Sequence, residues 1–133
     1  MTEKKLLELY FHIPFCVRKC FYCDFLSAPA SLEMQEAYMK ALFLELCGRA
    51  KEYKEYQVSS IFIGGGTPSA VKVQYIETLM CLVRKHFLLR EDAEITIEVN
   101  PGTADAPYDR VLCVCNSIFV KRHDKYKIAF FLL

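Results

Sequence analysis

Apolar and polar residues alternate along two stretches of the chain, and a period of two is typical of a β-strand with one buried face. In residues 7–13 the odd positions are apolar and the even positions are Glu, Tyr and His. Residues 94–99 alternate in the same way, with Glu98 on the polar side. A shorter and more apolar run, residues 58–63, ends at a glycine triplet. These patterns predict three strands.

Two segments between the predicted strands carry signals for the start of a helix. Ser31 is a suitable N-cap, and a helix is predicted from there to about Tyr53. Thr67 can cap a second helix, which Pro68 opens and which is predicted to run to about Leu89. The buried side of the first helix is expected to consist of four residues at helical spacing: Met34, Tyr38, Leu42 and Leu46.

Strands and helices are therefore predicted to alternate along the chain. Neighbouring parallel strands need a crossover connection, and a helix is the usual one, so this alternation predicts a parallel sheet and an α/β fold. In such sheets, ligands bind at the carboxyl ends of the strands. A binding site is expected at that edge.

Length and charge limit the classes of partner. The 133 residues include 17 basic and 16 acidic side chains, with no basic stripe, so we expect neither nucleic acid nor an anionic membrane as a partner. Met1 leads into the first strand without a signal-peptide pattern. The apolar run of residues 128–133 is too short to cross a bilayer. A soluble, cytoplasmic protein that binds small molecules is the expectation.

Three of the seven cysteines have the spacing C-x3-C-x2-C: Cys16, Cys20 and Cys23. Thiolates are the soft ligands of iron–sulfur clusters, and three of them can hold a four-iron cluster while one iron stays open. Zinc is the alternative, with His12 as the nearby candidate for a fourth ligand. His12 also suits a core position beside Tyr10, so the spacing alone leaves both metals open.

The other cysteines have no predicted role. An odd number of cysteines in a reducing compartment favours metal binding or free thiols over disulfides. Cys47 and Cys81 lie in helical patterns and are expected to be small buried hydrophobic residues. Cys113 and Cys115 lie near the end of the chain and are assigned no function.

Three motifs, in order along the chain, resemble one family of enzymes: residues 10–25, 61–69 and 94–103. Together they resemble the radical S-adenosylmethionine (SAM) enzymes, and among these the oxygen-independent coproporphyrinogen III oxidase family with its HemW-type haem chaperone branch. Asp24 and Phe25 follow the third cysteine as in the chaperone branch, which favours that branch. The two later motifs favour an iron–sulfur cluster over zinc.

The resemblance covers roughly residues 5–103 and implies part of a partial (β/α)6 barrel, of which this chain supplies about three βα units. We interpret residues 1–103 as the N-terminal part of a radical SAM core domain. Residues 104–133 lack a clean helical period and end in apolar residues, so an irregular tail unlike the family is expected there. This tail resembles out-of-frame translation or the end of a truncated gene.

The resemblance also implies the site residues. The three cysteines of the loop would hold a 4Fe–4S cluster, and contacts with SAM carry over to Tyr10, Tyr22, Gly65, Gly66, Thr67 and Glu98. Each of these residues has a purely structural alternative. The glycines and Thr67 suit a helix cap with close packing, the tyrosines suit aromatic packing, and Glu98 suits a solvated edge strand.

The chemistry implied by the resemblance is the reductive cleavage of SAM. The open iron would bind the amino and carboxylate groups of SAM, and one electron from the reduced cluster would give methionine and a 5′-deoxyadenosyl radical. The chaperone branch binds haem and delivers it to other proteins, whereas in the oxidase branch the radical acts on coproporphyrinogen. The electron donor is not identified by the sequence. A third alternative is an inactive truncated fragment that is not an enzyme.

Overall fold

The structure, a computed structural model, describes residues 3–15, 31–98 and 127–131. Its main elements follow one another in the order β1 (Lys5–Ile13), α1 (Leu32–Arg49), β2 (Tyr56–Gly65), α2 (Val73–His86), β3 (Leu89–Ile97) and β4 (Lys127–Phe131). Short 3-10 turns, Ala50–Tyr53 and Pro68–Ala70, follow α1 and β2. These elements form one layer of strands with helices packed against it.

The strands form a parallel sheet in the order β3-β2-β1-β4. The connection from β1 to β2 is α1, and the connection from β2 to β3 is α2. Each of these neighbouring pairs therefore has the helical crossover that parallel pairing requires. The predicted α/β fold is confirmed, although β2 is longer than predicted at both ends and β3 begins earlier, at Leu89.

A fourth strand, β4, lies within the segment for which the sequence predicts an irregular tail. It pairs in parallel with β1, from Leu7 opposite Lys127 to Phe11 opposite Phe131. The N–H and C=O groups on an edge strand accept another strand readily, so the free edge of β1 gives this short apolar run a partner. A short apolar run has no period of its own from which a strand can be predicted. Residues 99–126 and 132–133 lie outside the described residues.

Helix α1 begins where the sequence predicts, but its buried side is rotated. The backbone N–H of Met34 donates a hydrogen bond to Ser31 Oγ at 3.2 Å, which confirms the N-cap. Met34, expected in the core, is 62% exposed. The helix buries Gln35, Met39, Leu42 and Leu46. The prediction is therefore confirmed for Leu42 and Leu46, whereas in the first two turns the buried positions lie one residue further along than Met34 and Tyr38. The prediction was based only on the spacing of apolar side chains along the sequence. Which side of the helix is buried also depends on how the N-cap and the sheet orient the helix.

The second predicted helix is two separate elements. Pro68 opens a 3-10 turn, as its fixed φ favours, but Val71 is extended and interrupts the helix before α2 begins. Thr67 precedes the turn in an extended conformation, and its side chain makes no capping hydrogen bond. The chain is already in β3 at Leu89, where the helix was expected to end. Neither α1 nor α2 has the length and apolar character needed to cross a bilayer.

The sheet has an apolar face and a polar face, as the alternation predicts. The odd-numbered residues of β1 from Leu7 to Ile13 are at most 1% exposed and lie in one core with side chains of both helices. Tyr10, His12 and Phe62 lie on the opposite face and are only partly buried. Burial of the apolar face drives folding, and the opposite face therefore remains available for polar contacts.

Leu46 and Leu44 give a direct test of how α1 packs. Leu46 is 0% exposed and Leu44 is 77% exposed, although both lie in the same helix. We expect Leu46→Ala to lower the free energy of unfolding by about 2–5 kcal/mol, because it leaves a cavity in the core. Leu44→Ala should change it by less than about 0.5 kcal/mol. Urea denaturation followed by circular dichroism measures both, and equal losses would contradict this packing.

Candidate functional site

The carboxyl ends of β1, β2 and β3 lie side by side and define the candidate site. Tyr10 is paired with Phe62, and Phe62 with Thr96, so one row of side chains crosses the three strands. Three residues further along these strands, Ile13 is paired with Gly65. Parallel pairing thus brings together segments that are far apart in the sequence, as predicted for a binding edge.

Backbone hydrogen bonds hold the turn after β2 against the end of β1. The N–H of Gly66 donates to the carbonyl of Ile13 at 2.9 Å, and the N–H of Thr67 donates to the carbonyl of Phe15 at 2.6 Å. Phe15 is the last described residue before the cysteine loop. The glycine turn and the start of the loop are therefore neighbours at the same edge of the sheet.

Gly65 occupies a position that no other residue fits well. Its φ is +122°, a conformation that side chains disfavour. A Cβ atom there would lie 2.8 Å from the carbonyl oxygen of Ile13 and 2.9 Å from Nδ1 of His12. The close packing expected as the structural alternative is therefore present. The same absence of a side chain also leaves backbone groups accessible at this edge.

Tyr10 and His12 form a hydrogen-bonded pair on the polar face. The hydroxyl of Tyr10 lies 3.1 Å from Nδ1 of His12. The ring of Tyr10 stacks on Phe62 with centroids 5.7 Å apart and an interplanar angle of 13°. Tyr38, from α1, donates its hydroxyl to the backbone carbonyl of His12 at 2.6 Å. The predicted placement of His12 beside Tyr10 is confirmed.

The second nitrogen of His12 stands out among the polar atoms of the site. Its Nε2 is buried and has no hydrogen-bond partner within residues 3–15, 31–98 and 127–131. Buried polar groups are nearly always paired, with protein, water or a ligand. This atom therefore marks a place where a further group is expected to bind.

Glu98 acts on Tyr10 through its charge. Burial, and after it the negative charge of Glu98, raise the pKa of Tyr10 above its ordinary value of 10.0. The Glu98 carboxyl carbon would lie 3.3 Å from a Cβ placed on Gly64, so the side chain lies over the polar face. The backbone N–H of Glu98 donates to the carbonyl of Ile63 at 3.0 Å, which fixes the end of β3. Glu98 is nevertheless exposed, as in the alternative of a solvated edge.

The structure brings together part of the predicted site. Tyr10, Gly65, Gly66, Thr67 and Glu98 all lie at the carboxyl edge of the sheet. The predicted cluster ligands and one predicted SAM contact lie outside the described residues: Cys16, Cys20, Cys23 and Tyr22. In the described part of the chain, no three His, Cys, Asp or Glu side chains are placed to hold a metal.

Two aromatic residues of the site were not identified from the sequence. Phe62 stacks on Tyr10, and Tyr38 binds the backbone of His12. Phe62 stands between Ile61 and Ile63, so the parity of β2 could have placed it on the polar face. No local signal indicates the contact of Tyr38, because it depends on how α1 packs.

Cys81 and Cys47, the two free cysteines in the helices, were both expected to be buried, and neither is fully buried. Cys81 is exposed, so its prediction as a small buried residue is wrong. Its neighbours Leu79 and Met80 face the core, and position 81 falls on the outer side of α2. Cys47 is partly buried against the core, with Sγ 3.5 Å from Nε2 of His86.

Gly65 and Gly48 provide opposite predictions for the same substitution. Gly65→Ala should lower the free energy of unfolding by about 1–3 kcal/mol, because of the positive φ and the contact with Ile13. Gly48 lies in α1 with no heavy atom within 4 Å of an added Cβ, so Gly48→Ala should raise it by about 0.5–1 kcal/mol. Urea denaturation measures both. The account of the turn is wrong if Gly65→Ala is neutral or stabilising.

Tyr10 allows a test of the electrostatics. Glu98→Gln should lower the pKa of Tyr10 toward 10.0 without reaching it, because burial is the larger cause of the shift. Titration of 13C-labelled tyrosine by NMR, with Tyr10→Phe for assignment, measures the change.

The raised pKa of Tyr10 also has a consequence for stability. The unfolded chain ionises at this tyrosine first, so its stabilising contribution is present below pH 10.0 and is lost as the pH rises through the folded-state pKa. In the wild type, a Tyr10 pKa at or below 10.0 would contradict the described environment.

Comparison with known proteins identifies the family to which the chain is similar. A model of the radical SAM superfamily matches residues 10–115, a range that includes the cysteine loop and continues past Thr103. Haem chaperone HemW of Escherichia coli (strain K12) is 45% identical over 107 residues, which are 80% of this chain and 28% of that protein. HemW of Haemophilus influenzae is 40% identical over 111 residues, 80% of this chain and 29% of that protein.

A solved structure agrees with the sequence relatives. It is described as "Coproporphyrinogen III oxidase (HemN) from Escherichia coli is a Radical SAM enzyme", and it superposes with a TM-score of 0.79 at 33% identity. The superposition covers 85% of this chain and 26% of that one. The chain thus spans between a quarter and a third of the length of these proteins. Because the family match extends over most of the residues and the fold agrees, the chain belongs to the radical SAM superfamily.

Proposed function

We propose that the chain holds a 4Fe–4S cluster on Cys16, Cys20 and Cys23, binds SAM beside it, and acts in haem or porphyrin metabolism as a haem chaperone-like protein. Membership of the superfamily implies a cluster and SAM as general cofactors. The observation that carries the proposal for this chain is the polar, glycine-lined edge of the sheet at which the cysteine loop begins.

The residues on both sides of the loop fit a cluster. The loop leaves the sheet at Phe15, whose carbonyl accepts a hydrogen bond from Thr67, and it ends at Ser31, the N-cap of α1. Both ends are therefore fixed by described contacts. Three thiolates in a segment that contains no other Cys or His, residues 16–30, are a donor set for iron–sulfur chemistry, with one iron left for a small molecule.

The carboxyl edge fits SAM, which carries a carboxylate, an amine, a sulfonium and ribose hydroxyls. Glu98 supplies a carboxylate that can accept from hydroxyls or balance positive charge. Tyr10 and His12 supply polar atoms on the same face, and Nε2 of His12 lacks a partner in the described part of the chain. Gly65 leaves room for the backbone to approach a ligand.

The bound cofactors would supply a reducing electron and a carbon-centred radical, and the protein residues supply binding and orientation. The stacked pair of Tyr10 and Phe62 closes the floor of the site with aromatic surface and limits water there. The Tyr10 phenol, whose pKa lies above the ordinary value of 10.0, is protonated at neutral pH, so its hydroxyl can donate a hydrogen bond. Glu98 lies at the rim, where it can act on a ligand from the solvent side.

The haem chaperone assignment rests on the relatives and on the cysteine loop. HemW of Escherichia coli and of Haemophilus influenzae are haem chaperones by name. Asp24 and Phe25 after the third cysteine also agree with that branch. Because the chain covers less than a third of those proteins, haem as a ligand and the delivery of haem to partner proteins are proposals for this chain.

Coproporphyrinogen III oxidase activity is the second candidate, and the structural match to HemN is the observation that favours it. Haem titration followed by absorbance separates the candidates, because a chaperone shows a stoichiometric Soret shift. The oxidase instead converts coproporphyrinogen III anaerobically when SAM and a low-potential electron donor are present. A cytoplasmic location, where thiols stay reduced, suits either function.

Substitution of the loop cysteines tests the cluster. After anaerobic reconstitution with iron and sulfide, Cys16→Ala, Cys20→Ala and Cys23→Ala should each lose most of the bound iron, because one thiolate ligand is missing. Cys47→Ala and Cys81→Ala are the matched controls and should retain it, since these cysteines belong to α1 and α2 and not to the C-x3-C-x2-C motif. Iron and sulfide analysis with electron paramagnetic resonance (EPR) measures the outcome.

The same reconstituted protein tests SAM binding. The EPR signal of the reduced wild-type cluster should shift when SAM is added, because an open iron gains new ligands. No cluster in folded wild-type protein would favour the inactive alternative. A cluster that is lost equally from the Cys47→Ala control would show that the loop is not its site.

A further inference from the structure

His12 carries a buried nitrogen to which no described residue is hydrogen-bonded. Its Nδ1 is 3.1 Å from the hydroxyl of Tyr10, whereas its Nε2 is buried without a partner among the described residues. An imidazole held in this way by one nitrogen presents the other to whatever occupies the neighbouring space. Leaving a buried polar atom unpaired is costly, which makes a bound ligand the simplest explanation.

The direction of the hydrogen bond between Tyr10 and His12 sets which ring nitrogen carries the proton. The phenol is protonated at neutral pH, because the ordinary tyrosine pKa of 10.0 is already well above neutrality and burial raises the pKa of Tyr10 further. When the phenol donates its proton to Nδ1 of neutral His12, Nδ1 is the acceptor and the ring proton is on Nε2. His12 then offers an N–H donor, and the missing partner is an acceptor.

One further contact holds the backbone of His12, and another limits the position of its ring. The hydroxyl of Tyr38 binds the backbone carbonyl of His12 at 2.6 Å. The ring lies against Gly65, where a Cβ would come within 2.9 Å of its Cε1 and Nδ1 atoms. His12 is therefore held next to the glycine turn, at the edge of the sheet where the proposed function places SAM.

We infer that His12 is a further binding residue for SAM, which donates a hydrogen bond from Nε2–H to an oxygen acceptor of the cofactor. The carboxylate of the methionine part is the acceptor that this chemistry favours, because a neutral N–H donor binds an anionic oxygen strongly. Tyr10 is then a positioning residue as well, since it orients the ring and sets its tautomer. This inference rests on the proposed function.

Three variants separate hydrogen bonding from packing. His12→Leu fills space without a donor, His12→Gln restores an N–H donor close to the position of Nε2, and His86→Leu is the matched control on α2. Reconstituted wild type and variants are compared by iron content and by equilibrium dialysis with radiolabelled SAM. We expect His12→Leu to retain its iron but to bind SAM about tenfold to a hundredfold more weakly. His12→Gln should recover much of the affinity, and His86→Leu should match the wild type.

The outcomes distinguish this inference from the proposed function. Wild type that holds no cluster or binds no SAM would refute the proposed function, and the role of His12 with it. Wild-type affinity in His12→Leu, or the same loss in His12→Gln, would refute the role of His12 alone. Loss of iron from His12→Leu in folded protein would assign His12 to the cluster and overturn the contact with SAM.

The tautomer can be measured without any cofactor. In apoprotein labelled with 15N-histidine, NMR should find the His12 ring protonated at Nε2 and unprotonated at Nδ1, with His12→Gln used to assign the signals. Tyr10→Phe should remove the preference, because the donor to Nδ1 is gone. A ring protonated at Nδ1 in the wild type would contradict the inference.

Discussion

Two backbone hydrogen bonds tie the turn after β2 to the end of β1, and the candidate site depends on this junction. The amides of Gly66 and Thr67 donate to the carbonyls of Ile13 and Phe15. Both acceptors lie on the chain that enters the cysteine loop, so the junction sets where the loop starts relative to the turn. The close approach requires a residue without a side chain at Gly65. Backbone geometry therefore brings together the two motifs that a cluster and its cofactor would share.

One face of the sheet contributes to the stability of the fold, and the other face carries the candidate binding residues. Apolar side chains on the odd positions of β1 lie in the core with both helices, and their burial supplies the driving force for folding. The even positions contribute little to that core, and they hold Tyr10 and His12. Tyr10 and His12 are therefore available to bind a ligand without loss of core packing. One buried nitrogen of His12 has no protein partner in the described part of the chain, which is a cost to stability.

The sequence predicts where strands and helices lie along the chain better than it predicts which side of a helix is buried and which residues come into contact. Alternation and the cap at Ser31 locate the first strand and α1, because these signals are local. Met34 was placed on the wrong side, since helix rotation depends on packing against the sheet. In the same way, Pro68 indicates a helical turn but not the break that follows it. At the site, local motifs indicated the glycine turn, whereas the contact between Tyr38 and His12 arises only from the tertiary fold.

The proposed cluster on the cysteine loop would lie at the carboxyl edge of the sheet. Paramagnetic broadening of amide signals in 15N-labelled, reconstituted protein measures this directly, because the effect falls steeply with distance from the cluster. We predict broadening at Gly65, Thr67 and Glu98, with sharp signals retained at Glu55 and Tyr56 near the opposite edge. Broadening centred on Glu55 and Tyr56, or spread evenly over both edges, would contradict the account.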